Sequence, residues 1–373
     1  MRLHHLLPLL ALLPAPPLAA QRRAPSRPLL RADADTNDPQ SYFDLGARQR
    51  RDVWKARDAF YWASRLAPDQ PIYAYARYHA LLYSQSPDWR QNYWSGAKFV
   101  LKSKEARLID STFGEVMLRD PFAHVSAPCQ RVPELDHEER ALAGILWYEL
   151  GCYDRAVAVL GEALDRDPEQ LVLRVIRARA FAHVERFDST AFELGIVLDS
   201  LRARDADRLA HVYESKAMLE YVVGMAHLRR GDAAAARAAF GRALTEDLGF
   251  AMAHARLGRL ARLERRVDDA LAEYDLAVGL RPDDGVLRSE YGSALIEARR
   301  FADAETQFTA AVRLEPHWAK ARFNLAVACE AQGKSAAAID HYQAYVTRAP
   351  RAQVADAEEA RRRIARLRAA GTP

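Results

Sequence analysis

Residues 217–350 follow a 34-residue period without insertion or deletion, in four blocks that begin at Ala217, Ala251, Gly285 and Ala319, the last read as far as its position 32. With each block's first residue as position 1, position 7 reads Val223, Leu257, Tyr291 and Leu325. Position 8 reads Gly224, Gly258, Gly292 and Ala326, and position 20 is Ala236, Ala270, Ala304 and Ala338. Position 24 is aromatic throughout: Phe240, Tyr274, Phe308 and Tyr342. Position 27 reads Ala243, Ala277, Ala311 and Tyr345, and position 32 reads Leu248, Pro282, Pro316 and Pro350. A fixed period of this length means one supersecondary unit repeated, in which each unit buries its apolar face only by stacking on its neighbours.

Positions 4, 7, 8 and 11 fall on one face of a first helix, A, and positions 20, 24 and 27 on the matching face of a second, B. Small residues at 8 and 20 let the two backbones approach. The aromatic at 24 is expected beside the helix A of the next unit. Proline at 32 ends helix B, since it lacks an N–H and disfavours helix in the residue before it. These residues resemble the tetratricopeptide repeat (TPR) family, whose 34-residue period and small, aromatic and proline positions are all present. The resemblance implies an all-α, right-handed superhelical solenoid of antiparallel helix pairs that binds a protein or peptide along a concave groove. Position 4, often tryptophan in that family, is Glu220, His254, Arg288 and Arg322 here.

The rest of the chain is read against this frame in order. Residues 1–20 have the form of a secretory signal: Arg2, a short apolar run from Leu6 to Leu13, and a cleavage site of small residues before Gln21. The run is too short to span a bilayer, so no stable membrane insertion is expected. The chain is expected to be exported, periplasmic or secreted, and its arginine-rich composition (47 of 54 basic residues) points to a bacterial source. Residues 21–38 read as a disordered, acidic linker. Asp33, Asp35, Asn37 and Asp44 have calcium-loop spacing, but Asp38 stands where glycine is required, so a helix cap at Asn37 or Asp38 is the better reading.

Residues 39–119 read as divergent helical, TPR-like repeats. Tyr42, Leu45 and Gly46 match positions 4, 7 and 8, and Ala56, Phe60, Ala63 and Pro68 match 20, 24, 27 and 32. Prolines mark residues 120–136 as a loop. Residues 137–204 hold two further repeats, opening at His137 and Leu171, and residues 205–216 read as a helical insertion before the four clean repeats of 217–350. Residues 351–373 read as a C-terminal capping helix with Val354, Ala357, Ile364 and Leu367 on its apolar face.

Composition narrows the function. Half the residues are hydrophobic, only 17 are glycine, and the net charge is +4, which fits a helical fold with a large core. Charges of both signs alternate along the helices instead of concentrating beside aromatics, so no nucleic-acid partner is expected. Cys329 falls at the packing position 11, and Cys129 and Cys152 are the pair available for a bridge in an oxidising compartment. There is no phosphate loop, nucleophile elbow, zinc motif or set of titratable residues with complementary roles. No catalytic residue, metal site or cofactor is therefore assigned. His227 and His254 fall at packing positions 11 and 4.

The family's groove is built chiefly from helix A positions 2, 5, 9, 12 and 13. Carried over, these give Met218, Tyr221, Met225, Leu228 and Arg229, then Met252, Arg259 and Arg262. This strip of methionine, tyrosine and arginine suits an amphipathic or extended segment that carries an acid. The lysine and asparagine clamp of chaperone-binding members is absent but for Lys320 and Asn324. The alternative is a glycan or small-ligand site in the aromatic stretch that includes Tyr73, Tyr75, Trp89 and Trp94.

Overall fold

The computed structural model describes residues 24–49, 53–85, 119–120, 140–149, 151–204 and 215–370. All regular structure among them is helical. Three helices, α1 (Pro39–Arg48), α2 (Val53–Leu66) and α3 (Pro71–Gln85), form an N-terminal unit. Six helix pairs follow: α4 (Arg140–Glu149) with α5 (Tyr153–Arg166), α6 (Leu171–His183) with α7 (Phe187–Ala203), and α8 (Lys216–Arg229) with α9 (Ala233–Glu246). The series continues with α10 (Ala251–Leu263) and α11 (Val267–Leu280), α12 (Gly285–Glu297) and α13 (Phe301–Leu314), and α14 (Ala319–Ala331) and α15 (Ser335–Arg348). Helix α16 (Val354–Ala370) closes the C-terminal end. From α4 to α16 each described helix packs on the one before and the one after, which is the solenoid the repeat implies.

The repeat positions do the packing the sequence assigns them. The alanines at position 20 and the aromatics at position 24 are at most 1% exposed. The aromatic at 24, however, lies first against its own helix A. A Cβ built on Gly224, Gly258 or Gly292 would meet the ring of Phe240, Tyr274 or Phe308 respectively, at 2.5, 3.1 and 2.8 Å. The expected contact with the next helix A is present as well, in the Tyr274–Tyr291 stack with centroids 6.2 Å apart. The same fit recurs upstream, where a Cβ on Gly46 would meet Phe60 at 2.7 Å and one on Gly144 would meet Leu160 at 2.6 Å.

The turn from helix A to helix B is one structure used six times. Position 15 is left-handed in every pair: Gly151, Glu185, Gly231, Arg265, Arg299 and Gly333. The N–H at position 16 then bonds the carbonyl at position 11, as in Arg186 to Phe181, Asp232 to His227 and Arg300 to Leu295. This six-to-one bond satisfies a helix-end carbonyl and fixes the sharp reversal. Each helix B of the clean blocks stops at position 30, two residues before the position that proline occupies.

One apolar core runs from α6 through α10 and joins Leu194, Val197 and Leu201 to Leu219 and Val223, so stacking continues across the break after residue 204. The expected helical insertion lies outside the described residues except at its end, where Ser215 N-caps α8 through Met218 N–H. The signal of residues 1–20, the loop of 120–136 beyond Asp120, and His137 also lie outside them. Cys329 is a buried free thiol, and Cys152 is disulfide-bonded; Cys129, the partner expected for it, is outside the described residues.

Two expectations require correction. Residues 24–38 are packed, not a disordered linker: Trp62 Nε1–H donates to the Pro25 carbonyl at 3.0 Å, and the Arg27 guanidinium lies 4.6 Å from the Trp62 ring. A large indole with one polar N–H holds this irregular segment through both its ring face and its N–H. Asp38 does cap α1, accepting the Gln40 N–H. In α16, Ala357, Ala360 and Ile364 face the core, whereas Val354 is 55% exposed because it begins the helix beyond the reach of α15.

Candidate functional site

A cavity of ≈ 530 Å³ opens against α8, α10 and α12, the first helices of three successive pairs. Met225, Leu228, Met252, Leu260 and Leu287 supply its apolar lining, joined by Leu263, which is 68% exposed. Around them stand Arg119, Arg229, Arg256 and Arg259, and against these Asp69, Asp120, Asp284 and Glu290. Asp69 and Pro71 belong to the turn and start of α3, so the N-terminal unit forms one wall.

That unit is held across the array by contacts with the turn between α13 and α14 and with the ends of α14 and α15. Arg65 lies 3.0 Å from Glu315, and the Trp62 ring meets His317 edge-on at 5.0 Å. Asp69 accepts from Lys320 at 3.1 Å, and Asn37 Nδ2 donates to the Thr347 carbonyl at 3.2 Å. His317 is held below its ordinary pKa by burial and by surrounding arginines, which favours the neutral ring against Trp62.

The polar groups of the cavity are tied to residues 119–120. Arg256, only 6% exposed, donates from Nη2 to the Arg119 carbonyl at 2.7 Å and from Nε to the Tyr221 hydroxyl at 3.3 Å. Asp284, also 6% exposed, N-caps α12 through the Val286 and Leu287 N–H groups and accepts the Arg119 guanidinium at 3.2 Å. Burial pushes its carboxyl upward, but Arg119 and Arg281 together with the cap more than offset this and hold it below the usual aspartate range. Asp120 pairs with Arg229. Glu290 stands one repeat after Arg256 at the same position 6, and one of its carboxylate oxygens is buried without a hydrogen-bond partner.

Of the residues expected to line the groove, Met225, Leu228, Arg229, Met252 and Arg259 do so. Tyr221 does not. It is fully buried, packed on Phe240 and Phe250, and serves Arg256 from beneath. Met218 is partly buried against the apolar core, and Arg262 turns to Glu297 at 3.5 Å. In the aromatic alternative, Tyr73 is a core residue, packed on Phe43 with its hydroxyl donated to Gln40, and burial raises its pKa to about 12. Tyr75, two residues further along α3 and so on a different face, is part-buried; Trp89 and Trp94 lie outside the described residues.

Sequence reasoning missed Arg256, Asp284 and Glu290. Opposite charges at position 6 of adjacent blocks were the available sign for Arg256 and Glu290, and an aspartate before Gly285 marked only a cap. Nothing local marks Asp69, Arg119 or Asp120, which come from distant parts of the chain.

A family profile described as tetratricopeptide repeat matches residues 221–285 and 292–353. An uncharacterized protein of Haemophilus influenzae is 25% identical over 142 residues, 38% of this chain and 76% of its own length. The peroxisomal targeting signal receptor of Candida albicans is 32% identical over 73 residues, 20% of this chain and only 12% of that protein. Among solved structures, the C-terminal part of a TPR repeat-containing protein from Cytophaga hutchinsonii is 14% identical with a TM-score of 0.48, covering 56% of this chain and 78% of its own. YrrB, a TPR protein, is 17% identical with a TM-score of 0.43, covering 54% and 97%. The 34-residue period, the helix pairs it builds and the matched stretches agree: residues 221–285 and 292–353 are tetratricopeptide repeats.

Proposed function

We propose that the chain is a non-catalytic protein–protein interaction module of the bacterial cell envelope, and that the cavity on α8, α10 and α12 takes an extended peptide segment of its partner. The observation that carries this reading is the juxtaposition of an adaptable methionine and leucine lining with oriented charges from three consecutive repeats, of which Arg256 and Asp284 are buried. Methionine accommodates varied apolar side chains, and a buried arginine fixes a carbonyl or carboxylate. The apolar run of residues 1–20 and the disulfide at Cys152 support an oxidising, extracytoplasmic location.

A photo-cross-linking side chain at Leu263, exposed inside the cavity, tests the site against one at Leu276 on α11, which is 52% exposed. Cross-links from Leu263 are expected to map to one contiguous stretch of a partner and to vanish with Arg259→Glu. Equal labelling from Leu276 would place the partner elsewhere. N-terminal sequencing of the mature protein should begin at Gln21, and an intact Met1 would refute export through this segment.

A further inference from the structure

We infer that the cavity recognises an arginine–aspartate dipeptide, and that Arg119, a helical residue, and Asp120, which follows it, occupy it in cis, so that the partner displaces this chain's own residues. The inference rests on the proposed peptide-binding role and specifies its chemistry.

Three contacts define the reading, one from each of three successive repeats. Asp284, at the start of α12, takes the Arg119 guanidinium; Arg256, on α10, takes the carbonyl of the same residue; Arg229, at the end of α8, takes the Asp120 carboxylate. A cation, a carbonyl and an anion are thus read in that order. Asp284 and Arg256 are both buried, and charges held in that state require matching partners. If residues 119–120 withdraw, Arg256 keeps the Tyr221 hydroxyl, and Asp284 keeps its two backbone donors with Arg281 at 3.8 Å. Each then lacks the strongest of its cavity contacts. A dipeptide in the reverse order would set aspartate against Asp284 and arginine against Arg229, so the site also discriminates by repulsion.

The Asp120 end of the occupant is more accessible than the Arg119 end. Asp120 pairs with an arginine that is 47% exposed, and exposed pairs contribute little. The wall opposite α10 is a turn of the N-terminal unit, whose link here is the Asp69–Lys320 pair, with Lys320 64% exposed.

Fluorescence anisotropy with two labelled hexapeptides, Ala-Ala-Arg-Asp-Ala-Ala and Ala-Ala-Asp-Arg-Ala-Ala, tests this on the full chain. The double variant Arg119→Ala/Asp120→Ala is expected to bind the first peptide at least tenfold more tightly than the unaltered chain does, and the reversed peptide at least tenfold more weakly than the first. Adding Asp284→Asn, which keeps a capping side chain, should remove most of that preference. If truncation lowers the helical content, Arg119→Gln/Asp120→Asn replaces it. Equal binding of the two peptides overturns the dipeptide reading. Equal affinity of the opened and unaltered chains overturns the occupancy in cis. Absence of binding to either peptide also overturns the inference, and cross-linking from Leu263 then decides separately whether the cavity takes any partner.

Discussion

Gly224 and Phe240 fit so closely that a Cβ on the glycine would stand 2.5 Å from the ring. The contact recurs in the next two repeats, so it is a property of the unit and not of one site. Gly224→Ala should lower stability by about 1–3 kcal/mol, the usual effect of forcing extra volume into a filled core. Ala270→Leu should do the same, since Ala270 is 1% exposed between its helices. Gly241→Ala is the control: that glycine is mid-helix with nothing within 4 Å of its added Cβ, and the change should stabilise by roughly 0.5–1 kcal/mol. Chemical denaturation of the three variants checks the signs, and a stabilising Gly224→Ala would show that the helices are not this close.

Left-handed backbone at position 15 gives a second expectation. Arg299 adopts φ 58° where Gly231 and Gly333 occupy the equivalent turns. A side chain in this region is strained by about 1 kcal/mol or more. Arg299→Gly should therefore raise stability by roughly 1 kcal/mol despite greater freedom in the unfolded chain. A lower melting temperature would mean that the Arg300–Asp303 pair beside it depends on the arginine.

These positions show which parts of the structure were legible in the sequence. Period, small residues and aromatics encode contacts between neighbours in the chain, so the helices, their pairing and the fit of Gly224 on Phe240 could be read directly. Position 4 was legible only as a departure from tryptophan. In the structure it carries polar ties to position 23 of helix B: Arg174 to Glu193, His254 to Glu273 and Arg288 to Gln307. Glu220 has alanine at position 23 and reaches Arg242 and Arg202 instead. The cavity was only half legible. Met225, Arg229 and Met252 follow from repeat geometry, but Asp69, Arg119 and Asp120 arrive through long-range closure, which no local pattern records. Tyr221 was misplaced because position 5 does not fix whether a side chain turns to the groove or beneath it. Buried Arg256 above it settles the question here.

At the C-terminal end, Glu330 accepts from the Tyr342 hydroxyl at 2.7 Å, from Arg363 at 3.0 Å and from Arg366 at 2.6 Å. Burial raises its carboxyl pKa, yet these donors more than offset it and hold it below the usual glutamate range. Glu330→Gln should loosen α16 with little effect on the array, because Ala360 and Ile364 keep their apolar contacts. With Arg366 largely exposed, the loss should be about 1 kcal/mol. Hydrogen exchange should quicken in α16 while α12 and α13 stay protected. Uniform quickening would show that the cap and the array unfold together.

Protonation of Asp284 should release residues 119–120. Its pKa is lower in the folded chain than the unfolded value, near 3.9. A carboxylate shifted downward adds stability above its unfolded pKa, and that contribution disappears as pH falls through the folded value. Arg119 and Arg281 face it directly. The same cavity holds Arg229, Arg256 and Arg259 against Asp69, Asp120 and Glu290. At neutral pH the contact should hold, and it should weaken only as pH falls beyond the ordinary aspartate value toward the lower folded one. Asp284→Asn keeps a capping group but carries no charge at any pH, so its contact with Arg119 should be weak already at pH 7 and should change less on acidification. Hydrogen exchange of α10 and α12 at pH 5 and pH 3, corrected for intrinsic rates, measures the difference. If both proteins lose protection in parallel, other carboxylates govern the acid response and Asp284 is not the group that holds Arg119 in place.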